Sequence, residues 1–176
     1  MYDATFKICI FGDGGVGKTT LTERFLTGLF KDDTRLTIGT NFYQKNLLIE
    51  QKQIMLQIWD FGGEKQFRKL ISKYIIGASG VILMYDITRF SSLKNIREWM
   101  ELIEEGLERD RNISIVIVGG KKDLEAYRVV NPDIVDKLIE QYNFFNHFEC
   151  SAKSGENVEE IFTTLTNHIA KRSGII

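Results

Sequence analysis

A chain of 176 residues, 43% hydrophobic and 27% charged, suits one domain with a substantial core. Its net charge of −1 supplies no global field for nucleic acid or an acidic membrane, and two cysteines with one proline argue against a disulfide scaffold. No apolar run approaches the roughly 20 residues that a membrane-spanning helix needs.

Phe6 to Phe11 reads as a strand and Thr20 to Leu26 as a helix with Leu21, Phe25 and Leu26 on one face. Between them lies Gly12-Asp13-Gly14-Gly15-Val16-Gly17-Lys18-Thr19, which fits G-x-x-x-x-G-K-[ST], a phosphate-binding loop. Gly12, Gly15 and Gly17 let backbone approach an anion closely, and successive amides at a helix start form an anion nest. Lys18 brings a compact charge to the outer phosphates, and Thr19 offers a hydroxyl to a magnesium ion. A flexible glycine turn before a helix is the plainer alternative.

Phe30 to Asn41, with Asp32, Asp33, Thr34 and Gly39, reads as a loop. Phe42 to Glu50 and Gln53 to Trp59 read as a hairpin joined at Gln51-Lys52, with Ile54, Leu56 and Ile58 alternating with Met55, Gln57 and Trp59. Asp60-Phe61-Gly62-Gly63-Glu64 is expected to break the second strand, and a helical stretch runs to about Ile76. Gly80 to Tyr85 and Ile113 to Val118 are apolar enough for buried parallel strands. Ser91 to Glu108 reads as one long helix. Pro132, after Asn131, opens a helix to about Gln141, and a last helix runs from Glu156 or Asn157 to about Lys171. His147 to Cys150 is a short strand. Cys9 and Cys150 fall in or beside strands and read as inert buried thiols. The alternation gives six strands and five helices, an α/β domain spanning 1–176 with helices on both faces of a mostly parallel sheet.

Ligands in such sheets sit at the carboxyl ends of strands. Asp60 follows a strand, where an acid can hold magnesium from the second shell; a helix N-cap is the alternative. Thr37 can add a hydroxyl to that sphere. Lys121-Lys122-Asp123 follows Gly119-Gly120, and its carboxylate suits the N1–H and amino group of guanine. A solvated turn is the alternative there. Ser151-Ala152-Lys153 can aim a backbone N–H at a base oxygen.

In order and spacing these pieces resemble the small GTPases of the Ras superfamily over almost the whole chain, and the Rab branch most. The resemblance implies a three-layer phosphate-loop GTPase fold and a slow GTP hydrolase that switches between GTP and GDP with magnesium. The implied nucleotide site is Gly12, Asp13, Gly14, Gly15, Val16, Gly17, Lys18, Thr19, Thr20, Phe30, Thr37, Gly63, Lys121, Asp123, Ser151, Ala152 and Lys153. The implied metal set is Thr19, Thr37 and Asp60, and Gly63 and Glu64 occupy the catalytic stretch. Phe42, Trp59 and Tyr74 fall where Rab proteins carry an aromatic triad read by effectors; ordinary core packing is the alternative. Exchange and activating proteins are implied too. The end, Lys171 to Ile176, has no cysteine for prenylation, so a cytoplasmic protein is expected, with any membrane contact made through partners.

Three departures stand out. Gly120 replaces an asparagine of the base motif, so weaker base binding is expected, and Gly120→Asn would slow GDP release if the backbone accommodates it. Glu64 replaces the water-orienting glutamine, and Phe61-Gly62 replaces a usual Thr-Ala. A hydrolysis-impaired, GTP-bound scaffold is therefore the second reading, and an ATP-using phosphate-loop protein the third.

Overall fold

The structure is a computed structural model that describes residues 1–32, 35–68, 70–107 and 113–176. Six strands form one sheet in the order β2-β3-β1-β4-β5-β6. They are β1 (Ala4–Gly12), β2 (Thr40–Ile49), β3 (Lys52–Phe61), β4 (Gly80–Asp86), β5 (Ser114–Gly120) and β6 (Asn146–Glu149). Among the described residues only the β2–β3 pair is antiparallel. The described residues form seven α-helices: α1 (Lys18–Thr27), α2 (Lys65–Arg68), α3 (Ile71–Tyr74), α4 (Phe90–Lys94), α5 (Ile96–Gly106), α6 (Pro132–Tyr142) and α7 (Val158–Arg172).

Period-two alternation divides the sheet between two cores. Phe6, Ile8, Ile10, Ile54, Leu56 and Ile58 face α1 and α7. Cys9, Phe11, Val81, Leu83 and Ile117 face α3, α5 and α6. β4 is buried along its whole length, as its unbroken apolar run requires. Both cysteines are buried, and burial pushes both thiols up to about 12.

Four expectations need correction. The hairpin turns at Glu50-Gln51, not Gln51-Lys52, because both residues take positive φ (44° and 69°), as a two-residue turn matching strand twist demands. Asp60 does not break β3: the strand continues through Phe61, with Asp60 paired to Asn41 and Phe61 to Thr40. The helical stretch before Ile76 is two single turns, α2 and α3. The long helix is interrupted at Asn95, and Gly106 ends its second part; its expected end, Glu108, lies outside the described residues, as do Asp33 and Thr34. The α6 start agrees with the sequence: the Asn131 side chain accepts from the Asp133 N–H at 2.9 Å, ahead of Pro132.

On the α1/α7 face, Phe25 and Phe162 stack in parallel with centroids 3.9 Å apart, and both are buried. Phe162→Ala is expected to cost about 3–5 kcal/mol, since transfer and cavity terms add. Chemical denaturation checks this; a loss below about 1 kcal/mol would show that the two helices repack freely.

Candidate functional site

The phosphate loop leaves β1 and enters α1 with Gly12, Gly15 and Gly17 all at positive φ (141°, 74° and 103°), so the motif's glycines are used for backbone shape. The loop folds back on its own lysine. Lys18 Nζ donates to the carbonyls of Gly12 (2.7 Å) and Asp13 (2.8 Å). Burial pulls the Lys18 ammonium down to about 8, against the opposing pull of Asp60 and Asp13.

A cavity of about 480 Å³ opens over this loop. Gly14, Gly15, Val16, Gly17, Lys18, Thr19 and Thr20 line one end. Phe30, Lys121, Asp123, Ala152 and Lys153 line the other, and Thr37, Gly63 and Glu64 close the side. Its volume suits a small-molecule site. Gly12, Asp13, Asp60 and Ser151 stand behind this lining. The Gly12 and Asp13 carbonyls hold Lys18. Ser151 is fully buried and its Oγ donates to Asp123 Oδ1 at 2.7 Å, so it orients the carboxylate.

Three oxygens meet at the cavity wall. Thr19 Oγ1 lies 2.5 Å from Thr37 Oγ1 and donates to Asp60 Oδ2 at 2.5 Å. Asp60 is fully buried, and its Oδ1 has no hydrogen-bond partner. Burial raises the Asp60 carboxyl while Thr19 and Lys18 pull it down. A buried orphan carboxylate oxygen beside two hydroxyls calls for a cation, and an all-oxygen set suits magnesium. Among the described residues no group of three His, Cys, Asp or Glu forms a cage of its own.

The base end has a support that the sequence did not reveal. Asp86, at the end of β4, is nearly fully buried and accepts from Lys121 Nζ at 2.7 Å. Burial alone would raise its carboxyl, but Lys121 and Thr88 together hold it below the usual range. Asp86 thereby fixes the lysine stem along the cavity floor.

Asp13, expected among the nucleotide-site residues, does not line the cavity. Its carboxylate turns away from the cavity and accepts from Arg68 Nη2 (2.9 Å), Trp99 Nε1 (2.8 Å) and Asn95 Nδ2 (2.7 Å). Arg68 also pairs with Glu98 at 2.6 Å and lies over the Trp99 ring. The Asn95 interruption of the long helix is where that amide turns to Asp13.

Phe42, Trp59 and Tyr74 do come together. Ring centroids are 5.2 Å apart for Phe42–Trp59 and 5.9 Å for Trp59–Tyr74. Phe42 and Tyr74 are 48% and 37% exposed, so the cluster is a surface patch beside the cavity loops.

The sequence model of the Ras family matches residues 7–171. Ras-related protein Rab-13 of Bos taurus is 41% identical over 177 residues, covering 98% of this chain and 84% of that protein. GTP-binding protein ypt3 of Schizosaccharomyces pombe is 38% identical over 168 residues, 96% of this chain and 77% of its own length. Ras-related protein RABA4b of Arabidopsis thaliana is 39% identical over 167 residues, 95% and 73%.

Gly120 bears on the base end in an unexpected way. A Cβ there would lie 2.8 Å from the Val16 carbonyl oxygen and 3.2 Å from Met84 Cε. The phosphate loop therefore packs directly on the strand end, in the space a side chain would fill. The condition for Gly120→Asn to help is not met. Gly120→Ala and Gly120→Asn are both expected to displace Val16, lower stability by about 1–3 kcal/mol and speed GDP release. Stopped-flow release of a fluorescent GDP checks this, and several-fold slower release from Gly120→Asn would contradict it.

Proposed function

The chain belongs to the Ras family: it is a small GTPase that binds GTP and GDP with magnesium and hydrolyses GTP slowly, and we propose the following division of that work among its residues. Amides of Gly14 to Thr19 cradle the phosphates, with Lys18 as their point charge. Thr19, Thr37 and Asp60 hold the magnesium, which when bound offsets phosphate charge. Asp123 reads the guanine edge, oriented by Ser151, with Ala152 and Lys153 beside it and Phe30 along the opposite wall. Residues 1–176 serve as a single GTPase domain. The observation that carries this reading is convergence: the glycine loop, Thr19 and Thr37 backed by Asp60, and Asp123 backed by Ser151 meet at one cavity. The nucleotide released on denaturing the purified protein tests it. GTP or GDP is expected, and ATP would refute the base assignment.

Effectors meet the chain at Phe42, Trp59 and Tyr74. Ile38, in the loop before β2, and Ile76, after α3, are exposed as well (79% and 66%). Members of this family work with effector, exchange and activating proteins, and we place this chain in membrane traffic, peripheral through partners. No helix among the described residues is long and apolar enough to cross a membrane. If the patch senses the nucleotide, Trp59 fluorescence changes when GDP is exchanged for a non-hydrolysable GTP analogue. An unchanged signal in the loaded protein would leave the three rings as packing only.

Glu64 sets the rate. It lines the cavity, and its Oε2 accepts from Gln66 Nε2 at 2.7 Å. A glutamine can accept from the attacking water and donate to the phosphoryl group. An ionised glutamate can only accept, and it adds negative charge beside the γ-phosphate. Turnover is therefore expected at or below the order of 10⁻⁴ per second of an unassisted small GTPase. In single-turnover assays Glu64→Gln should raise the rate or leave it unchanged. A tenfold fall would instead make Glu64 the general base.

A further inference from the structure

The carboxylate assigned to the guanine edge stands on a segment that the core does not hold. Asp123 belongs to a 3₁₀ segment, Lys122–Tyr127, in which no residue is buried and which bends at Leu124 (φ −99°, ψ 30°). Gly120, just ahead of it, has no side chain to brace it. Backbone bonds fix its two ends. The Lys122 N–H donates to the Cys150 carbonyl at 2.9 Å, and beyond Tyr127 the Val129 and Val130 N–H groups donate to the Ile87 carbonyl at 3.0 and 3.1 Å. Burial therefore does not fix where Asp123 points, and polar contacts must.

Arg128 supplies such a contact. Its Nε and Nη2 donate to the Glu125 carboxylate at 2.7 Å each, and its Nη1 and Nη2 donate to the Glu149 carboxylate at 2.7 and 2.6 Å. Both are two-pronged, charge-assisted contacts, which are strong and directional. The Arg128 and Glu149 side chains are 17% and 19% exposed, so water screens this arm weakly, whereas Glu125 is 59% exposed. Glu149 is itself placed by the sheet. A Cβ on Gly119 would stand 3.2 Å from Glu149 Cγ, and the Glu149 carbonyl accepts from Asn157 Nδ2 at 2.7 Å. The bridge runs alongside the Ser151–Asp123 hydrogen bond: Glu125 follows Asp123 by two residues, and Glu149 precedes Ser151 by two. A further tie, Lys122 Nζ to Glu156 at 2.5 Å, joins flexible side chains open to water and adds little.

We propose that Arg128 is a positioning residue for base selection: by bridging Glu125 to Glu149 it holds the Asp123 carboxylate at the angle that accepts both the N1–H and the amino group of guanine. The inference rests on the guanine-nucleotide reading above. A carboxylate that must accept two parallel donors tolerates little rotation, because hydrogen bonds weaken steeply as they bend. Ser151 holds one oxygen of Asp123 from the side, and the Arg128 bridge keeps the two backbones at the separation that this contact needs. Without the bridge the segment stays tied at its ends, so the phosphates are still held while the base edge is read less sharply.

Base selection is measured as the ratio of the dissociation constants of inosine diphosphate and GDP, which differ only in the amino group that Asp123 receives. The wild-type protein is expected to prefer GDP at least about tenfold, and Asp123→Ala to bind the two about equally. In Arg128→Gln the ratio is expected to fall about threefold or more, through weaker binding of GDP. Arg128→Lys keeps the charge but loses the fork, and should fall likewise. Glu125→Ala cuts the same bridge at its exposed arm, where folding is not at stake, and should lower the ratio as far as Arg128→Gln does. The double variant should go no further than either single one, because the bridge acts as a unit. Thermal unfolding of the GDP-loaded protein is the folding control. A fall of less than about threefold in Glu125→Ala or in folded Arg128→Gln overturns the proposal, whatever stability is lost, since a merely structural contact weakens both nucleotides equally. If Arg128→Gln does not fold, Glu125→Ala decides alone. A wild-type protein without preference for GDP would instead remove the guanine-nucleotide reading itself, as would an Asp123→Ala variant that keeps the preference.

Discussion

Behind the phosphate loop a carboxylate is taken largely out of water and turned away from the cavity. Asp13 is tolerable there because three donors from α2, Asn95 and α5 meet its two oxygens. Removing one partner of such a buried charge is strongly destabilising, because the charge remains without its compensation. The loop is therefore fixed from behind before any ligand arrives. With it are fixed the Asp13 carbonyl that holds Lys18 and the amides that face the cavity. A loop rich in glycine would otherwise sample many backbone states, and ordering it on binding would weaken affinity.

The same anchor begins a series of aromatic contacts that crosses the molecule. Trp99 stacks on Phe11 at 6.2 Å, Phe11 on Phe61 at 4.9 Å, and Phe61 meets Tyr74 at 5.4 Å. Tyr74 meets Trp59, and Trp59 meets Phe42 at the surface. The exposed patch is thus packed on the core that also holds the Asp13 partners. Packed rings transmit displacement poorly in small amounts, so a change in α3 is felt as repacking.

How much of this could be read beforehand follows from sequence distance. The phosphate loop was legible because its chemistry needs consecutive residues, and the strand ends carrying Asp60, Asp123 and Ser151 followed from apolar runs. The partners of Asp13 lie 55, 82 and 86 residues away, so no local pattern marks them. Asp86 and its partner Lys121 stand at the ends of different strands, so no local pattern pairs them. The hairpin turn slipped by one residue because Glu50 and Gln51 are not residues that advertise positive φ. The interruption at Asn95 was hidden because hydrogen bonds of helical spacing continue across it, Asn95 N–H to Ser91 O and Trp99 N–H to Asn95 O.

Phe61-Gly62, in place of a usual Thr-Ala, acts as one change. Strand pairing carries β3 through Phe61, so its ring is directed into the α3/α5 core, where it is buried against Phe11. The next residue points to the other side and faces the loop before β2. There the Gly62 N–H donates to the Gly39 carbonyl at 2.8 Å, and a Cβ would run into the Thr37 carbonyl. A large residue on the core side and none on the loop side together let the Thr37 segment lie down against the end of β3. That approach brings the Thr37 hydroxyl to Thr19 and beside Asp60. The oxygens of Thr19, Thr37 and Asp60 are therefore brought together by packing on β3, in an arrangement that leaves no room for a Cβ at 62.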